Sequence, residues 1–336
     1  MRGLACISVL AFHFLSRGPH EGLMPGVAFP LLEPIARFGY LGVHLFFVIS
    51  GFVILMSAQG ASPRNFIASR ASRLYPALWI AATLTAGAAW MLSDARFAVT
   101  GGDYLANLSM VPHWFGIPYV DGAYWSLGYE LHFYILVLVV IGLGWMKQLE
   151  WLLAGWLLVS AINAVRPMWP VEFWLNAKWA PFFAAGGVFY LVRTLGLTLR
   201  RLLLLAAAFA LAQFYAIYRA PAAGSGSPLV VAAFITAIFV VFSLVAARRF
   251  QMKGSAWIYY AGALTYPLYV IHQNLGFMVY ARLLALLDSV NAALALMLVL
   301  LLGLSWCVHA YVEAPLSPRL RRWLAKPRAA GSERAA

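Results

Sequence analysis

Gly42-Val43-His44-Leu45-Phe46-Phe47-Val48-Ile49-Ser50-Gly51-Phe52-Val53-Ile54 runs thirteen residues without a carboxylate, lysine or arginine. Extended to 38–57, it reaches the roughly 20 residues that a helix needs to cross about 30 Å of hydrocarbon. Comparable runs recur at about 3–16, 74–92, 125–145, 149–165, 178–194, 202–218, 228–247, 257–286 and 290–312. The expected fold is therefore an all-α polytopic membrane protein with about ten transmembrane helices. Composition agrees: 63% of the 336 residues are hydrophobic, 10% are charged and the mean hydropathy is +0.81, too little charge to cover a soluble domain of this size. No polar stretch is long enough for a second globular unit. One membrane domain is expected over 1–316, with a basic cytoplasmic tail at 317–336 that is partly disordered from Lys326 onward.

The net charge of +13 would suit nucleic acid only if it were gathered on one solvated face. Here the cations sit in short loops between apolar runs, so membrane lipids are expected to be touched and nucleic acid is not. With the N-terminus placed in the cytoplasm, 17 of the 24 lysines and arginines fall inside and 7 outside. The positive-inside rule thus puts both termini in the cytoplasm and 93–123 outside. Tyr75, Trp79, Trp125, Trp151, Trp179 and Trp257 cluster near span ends, as interfacial anchors do. The first run, at about 21 Å, is short for a bilayer, and a start upstream of Met1 is expected. It has neither the charged leader nor the cleavage site of a signal peptide. Cys6 and Cys307 lie in apolar runs, where neither a structural disulfide nor a metal site is expected.

Ionisable side chains at membrane depth are costly, so each is a candidate for function. Arg2 and His13 are eleven residues apart, which brings them within about 20° of one helix face and roughly 16 Å along the axis. An imidazole at that depth can take a proton from a hydroxyl near neutral pH; the competing reading is a histidine hydrogen-bonded across helices for packing. Arg70 and Arg73 share a face just after Ser62-Pro63, a cap followed by a first-turn proline. Two guanidinium forks there suit phosphate, or else anchor the helix to lipid headgroups. Glu130 lies near the outer end of its span, with Tyr134 one turn on. His44, His132, His272 and His309 also lie at membrane depth, where packing contacts are the commoner use. No G-x-S-x-G elbow, P-loop or zinc-type histidine spacing occurs, and no metal is expected.

Six stretches in order resemble the acyltransferase 3 family of bacterial membrane O-acyltransferases. They are Arg2-Gly3-Leu4-Ala5 through Phe12-His13-Phe14, Gly42–Ile54, Arg70-Ala71-Ser72-Arg73-Leu74-Tyr75-Pro76, Tyr124–Tyr134 (YWSLGYELHFY), Leu264–Gln273 (LTYPLYVIHQ) and Val312-Glu313-Ala314-Pro315. The resemblance is to the stand-alone form, without a fused hydrolase-like domain. The family's usual acidic residue a few positions before the arginine has no counterpart here. The resemblance implies transfer of an acyl group, acetyl foremost, from cytoplasmic acyl-CoA as co-substrate to a hydroxyl of a carbohydrate or other cell-envelope acceptor at the bacterial inner membrane. It implies that His13 and Arg2 are essential, with Glu130 the third catalytic candidate. Arg70 and Arg73 would hold the donor, while Trp125, Ser126, Tyr134 and His272 would contact substrate. Direct transfer with His13 as base and a covalent acyl-histidine relay both fit. The reading from another class is a secondary transporter in which Arg2, His13 and Glu130 line a path; such proteins usually carry internal repeats, and none is seen here.

Overall fold

The computed structural model describes residues 1–92, 94–219, 227–249 and 255–325, and the side chains of 256–258 are not among those described. The expected tail disorder from Lys326, the anchor Trp257 and the loop cation Lys253 lie outside the described residues. All regular structure among the described residues is helical. The helices that matter are α1 (Arg2–Phe12), α2 (Gly42–Ala58), α3 (Pro63–Leu92), α4 (Trp125–Gly142), α5 (Leu149–Val165) and α6 (Ala180–Leu195). They continue as α7 (Leu199–Phe214), α8 (Pro228–Ala246), α9 (Thr265–Ile271), α10 (Asn274–Leu287), α11 (Val290–Cys307) and α12 (Ala314–Ala325). Helices are what a bilayer permits, because each backbone N–H and C=O finds its partner within its own segment.

Length and composition give seven helices able to cross a membrane among the described residues, or eight if one bent pair is a single span. Of the two other expected spans, α6 is a shorter apolar helix, and α1 runs on into the π-helical turn His13–Arg17. The bent pair corrects the reading of 257–286 as one straight span, since its halves Tyr259–Ile271 and Asn274–Leu287 diverge by 76°. The expected helix start before α3 is present: Ser62 Oγ accepts from the backbone N–H of Asn65 at 3.3 Å. At the other end the last span does not stop at the membrane. Val290–Ala325 is helical throughout, and Arg64 Nε donates to the Leu324 carbonyl at 2.7 Å, tying α12 to the start of α3.

The core is centred on α2, which is buried on nearly every side. Its contact with α6 is backbone against backbone. A Cβ at Gly51 would collide with the Phe183 carbonyl oxygen, and one at Gly186 with the Val48 carbonyl oxygen. Small residues at such crossings let dispersion contacts replace the hydrophobic drive that lipid does not supply. Phe47, Phe133, Phe183 and Trp156 stack beside this crossing, with Phe133–Phe183 centroids 4.5 Å apart.

Candidate functional site

Three cavities follow one another through the bundle. The first, ≈ 850 Å³, opens beside α12; it is lined by Arg70, Arg73, His309, Glu313, Arg321 and Arg322. The second, ≈ 70 Å³, lies among Arg2, Ser50, Arg70, Arg73, Glu130 and Tyr134. The third, ≈ 480 Å³, is lined by His13, His44, Trp125, Tyr129, Lys178 and Trp179, with Arg17 and Glu21 at its mouth. The first and second share Arg70, Arg73, Gly262 and Tyr266; the second and third share only Val43 and Tyr269. Val43 and Tyr269 therefore form a partition between the arginine-lined half and the histidine-lined half.

The arginine half is built by α1, α3 and α4. Half-buried Arg70 and exposed Arg73 line the first two cavities from α3, which the Tyr266 hydroxyl clamps by donating to the Leu74 carbonyl at 2.8 Å. Arg70 Nη2 donates to Ser69 Oγ at 2.8 Å, while its buried Nε and Nη1 have no protein partner. Its guanidinium carbon lies 5.9 Å from the Phe66 ring centre and 6.0 Å from that of Tyr134, close enough for cation–π attraction to hold it. Buried N–H donors without acceptors are costly, and these two belong to a group that lines both cavities. Glu130 sits here too. Its Oε1 accepts from Ser50 Oγ at 2.6 Å and from the Tyr134 hydroxyl at 2.7 Å. The sequence had set Glu130 toward the outside; the fold gathers it with Arg2, Arg70 and Arg73, because α2 and α3 face that turn of α4. Ser126 lines the same cavity and shares a 2.7 Å hydrogen bond with the Tyr269 hydroxyl.

The histidine half is built where helices break. His13 opens a π-helical turn, His13–Arg17, a distortion common at functional positions. It is buried, and its Nδ1 has no protein partner. His272 stands at the bend between α9 and α10, its ring centre 5.1 Å from that of His13. His272 is fully buried and lines neither neighbouring cavity. Its Nδ1 lies 2.7 Å from the Tyr269 carbonyl, an acceptor only, so Nδ1 carries the proton and Nε2 keeps its lone pair, with no protein partner. Trp125 and Trp179, read from sequence as interfacial anchors, turn inward instead: their rings pack 5.4 Å apart and wall the cavity.

Sequence reasoning missed Ser50, Tyr269, Lys178 and Asp121. Asp121 is fully buried between two helix starts. Its Oδ1 accepts from Ala123 N at 2.8 Å and its Oδ2 from Asn274 N at 2.8 Å, which holds the bend that carries His272. An aspartate directly before Gly-Ala-Tyr-Trp is a helix-cap signal that points to its first partner; nothing local points to its second.

A sequence model of the family described as an acyltransferase domain (acyltransferase 3) matches residues 1–312. The chain is 24% identical over 211 residues to the peptidoglycan O-acetyltransferase OatA of Listeria monocytogenes, covering 56% of this chain and 30% of that protein. It is 33% identical over 106 residues to the exopolysaccharide production protein ExoZ of Rhizobium meliloti, covering 29% of this chain and 32% of that one. The matches thus span about a third of each relative's length. No solved structure matches.

Proposed function

The chain belongs to the acyltransferase 3 family, and from that premise we propose that it is an O-acyltransferase of the inner membrane, moving an acyl group, acetyl foremost, from cytoplasmic acyl-CoA to a hydroxyl of a carbohydrate or similar envelope acceptor. The relatives' names, one for peptidoglycan and one for exopolysaccharide, support that acceptor class. The observation that carries the reading is the row of cavities, cationic at one end and imidazole-lined at the other, with a partition between them.

Phosphates of the donor sit on Arg70 and Arg73, whose forks match paired oxygens. Arg321 and Arg322 at the mouth add charge that draws an anionic donor in. Glu130, held by Ser50 and Tyr134, is the fixed counter-charge that keeps three guanidiniums in one small space. The acyl arm then reaches the partition from below and the acceptor hydroxyl meets it from above. His13 takes the hydroxyl proton as the oxygen attacks the thioester carbonyl; the C–O bond forms, the C–S bond breaks, and the thiolate leaves to be protonated as free thiol. His272, its Nδ1–H fixed by the Tyr269 carbonyl, is a positioning residue that packs against the His13 ring.

Purified protein in lipid nanodiscs should release thiol from acetyl-CoA when a hydroxyl acceptor is present. No release with any saccharide acceptor would overturn the reading in favour of a transporter.

A further inference from the structure

We propose that the outer cavity takes a saccharide bearing a negative charge near the hydroxyl to be acylated. The inference rests on this cavity being the acceptor's site. Its ≈ 480 Å³ falls within the range of about 300–1,000 Å³ typical of ligand pockets. Trp125, Tyr129 and Trp179 form an aromatic wall, with centroids 5.4 to 6.0 Å apart. Such a wall suits the C–H face of a sugar ring, apolar on one side and wet at the rim.

Charge then narrows the class. The lining holds three cations, Arg17, Lys178 and Arg219, against one carboxylate, Glu21. That carboxylate is already used, since Arg17 Nε donates to Glu21 Oε1 at 2.8 Å. Arg219 Nη2 donates to the Ala164 carbonyl at 3.0 Å, a neutral partner that leaves its charge uncompensated. Lys178 forms no hydrogen bond or ion pair among the described residues; its ammonium lies 5.3 Å from the Trp179 ring centre. Glu172, the nearby carboxylate, makes no ion pair with it and accepts from Asn163 Nδ2 at 3.1 Å, though its charge still reaches Lys178. Arg219 with a neutral partner, and Lys178 with the Glu172 charge nearby but no ion pair to it, leave the lining net positive beside the aromatic wall, a match for a sugar carrying a carboxylate or phosphate rather than a neutral one. Lys178, next to Trp179 in sequence and space, is the specificity-determining residue: a ring packed on the half-buried Trp125 and Tyr129 of this wall would bring its anionic substituent toward Lys178.

The test is binding, read apart from catalysis. Nanodisc-embedded protein is titrated calorimetrically with a galacturonic-acid disaccharide and its carboxyl-reduced neutral form, and with galactose 6-phosphate and galactose. Each anionic probe should bind about tenfold tighter than its neutral counterpart, as one charge-assisted contact implies, and high salt should shrink the difference. A preference for only one of the probes identifies the anion as carboxylate or phosphate. Lys178→Met should reduce the preference to about twofold or less, and Lys178→Arg should keep it, which separates lost charge from lost fold. Equal binding of charged and neutral sugars, or a preference untouched in Lys178→Met, overturns the proposal. Thiol release from acetyl-CoA is measured in parallel. Binding preference without release retires the transfer reading and leaves the anion site standing; release with equal affinities does the reverse.

Discussion

His13 and Arg70 differ in what surrounds them, and that difference sets what each replacement should do. His13 faces the outer cavity with an unpartnered Nδ1, on a turn whose geometry is irregular before any ligand arrives. His13→Ala removes the proposed base without touching the α2–α6 crossing. Transfer should fall by about 10²–10⁴-fold, the usual worth of a positioned acid–base group, at equal amounts of folded protein; activity within a few-fold of wild type would take His13 out of the mechanism. Arg70 presents two unpartnered donors to the arginine cavities. Arg70→Lys and Arg73→Lys keep the charge and lose the fork, so donor KM should rise by about tenfold while kcat changes less. Unchanged donor KM, with protein abundance lowered instead, would leave a lipid-anchoring role. The candidates were legible because arginine and histidine in an apolar run are conspicuous one residue at a time. Ser50, Tyr269 and Lys178 are ordinary where they stand in the chain, and matter only through neighbours from other helices.

Among elements, the bend between α9 and α10 was the least legible feature. The run 257–286 is apolar apart from Arg282 and the polar triplet His272-Gln273-Asn274, which sits at the break, and Pro267 lies too early to explain it. Its cause is Asp121, 153 residues from Asn274 in sequence, whose carboxylate caps the second half-helix. Irregular backbone is tolerated at membrane depth where protein supplies the missing partners, and Asn274 Nδ2 completes the clip by donating to the Val120 carbonyl at 3.0 Å. Asp121→Ala would strand two buried N–H groups, each costing about 1–3 kcal/mol. Its thermal unfolding midpoint in detergent should drop clearly, and transfer should fall with it as His272 loses its place beside His13. An unchanged midpoint would show that the bend holds without the clip. By contrast, the start of α3 at Ser62-Pro63 was readable, because capping is settled within one turn.

For the molecule as a whole, hydrophobic runs located the helices, α1 and α6 included although both are short for a span, and missed the bend inside 257–286. Orientation rests on the asymmetry of basic residues. Single cysteines at Gly102 and Gln59, in a background lacking Cys6 and Cys307, should react differently with an impermeant maleimide on intact cells: Gly102 labels and Gln59 does not. Labelling of Gln59 alone would invert the map and the side from which the donor enters. The partition of Val43 and Tyr269 also has an electrical side. In the proposed reaction, transfer would send an acyl group outward and strip a proton from the acceptor, while the departing thiolate inside would need a proton back. Were the stripped proton to escape outward, each turnover would separate one unit of charge across the membrane, costing about 2.3 kcal/mol at 100 mV. Tyr269 touches both cavities, and its hydroxyl shares a 2.7 Å bond with Ser126 on the arginine side. Two hydroxyls in series could hand a proton inward past this partition, and the exchange would then draw nothing from the membrane potential.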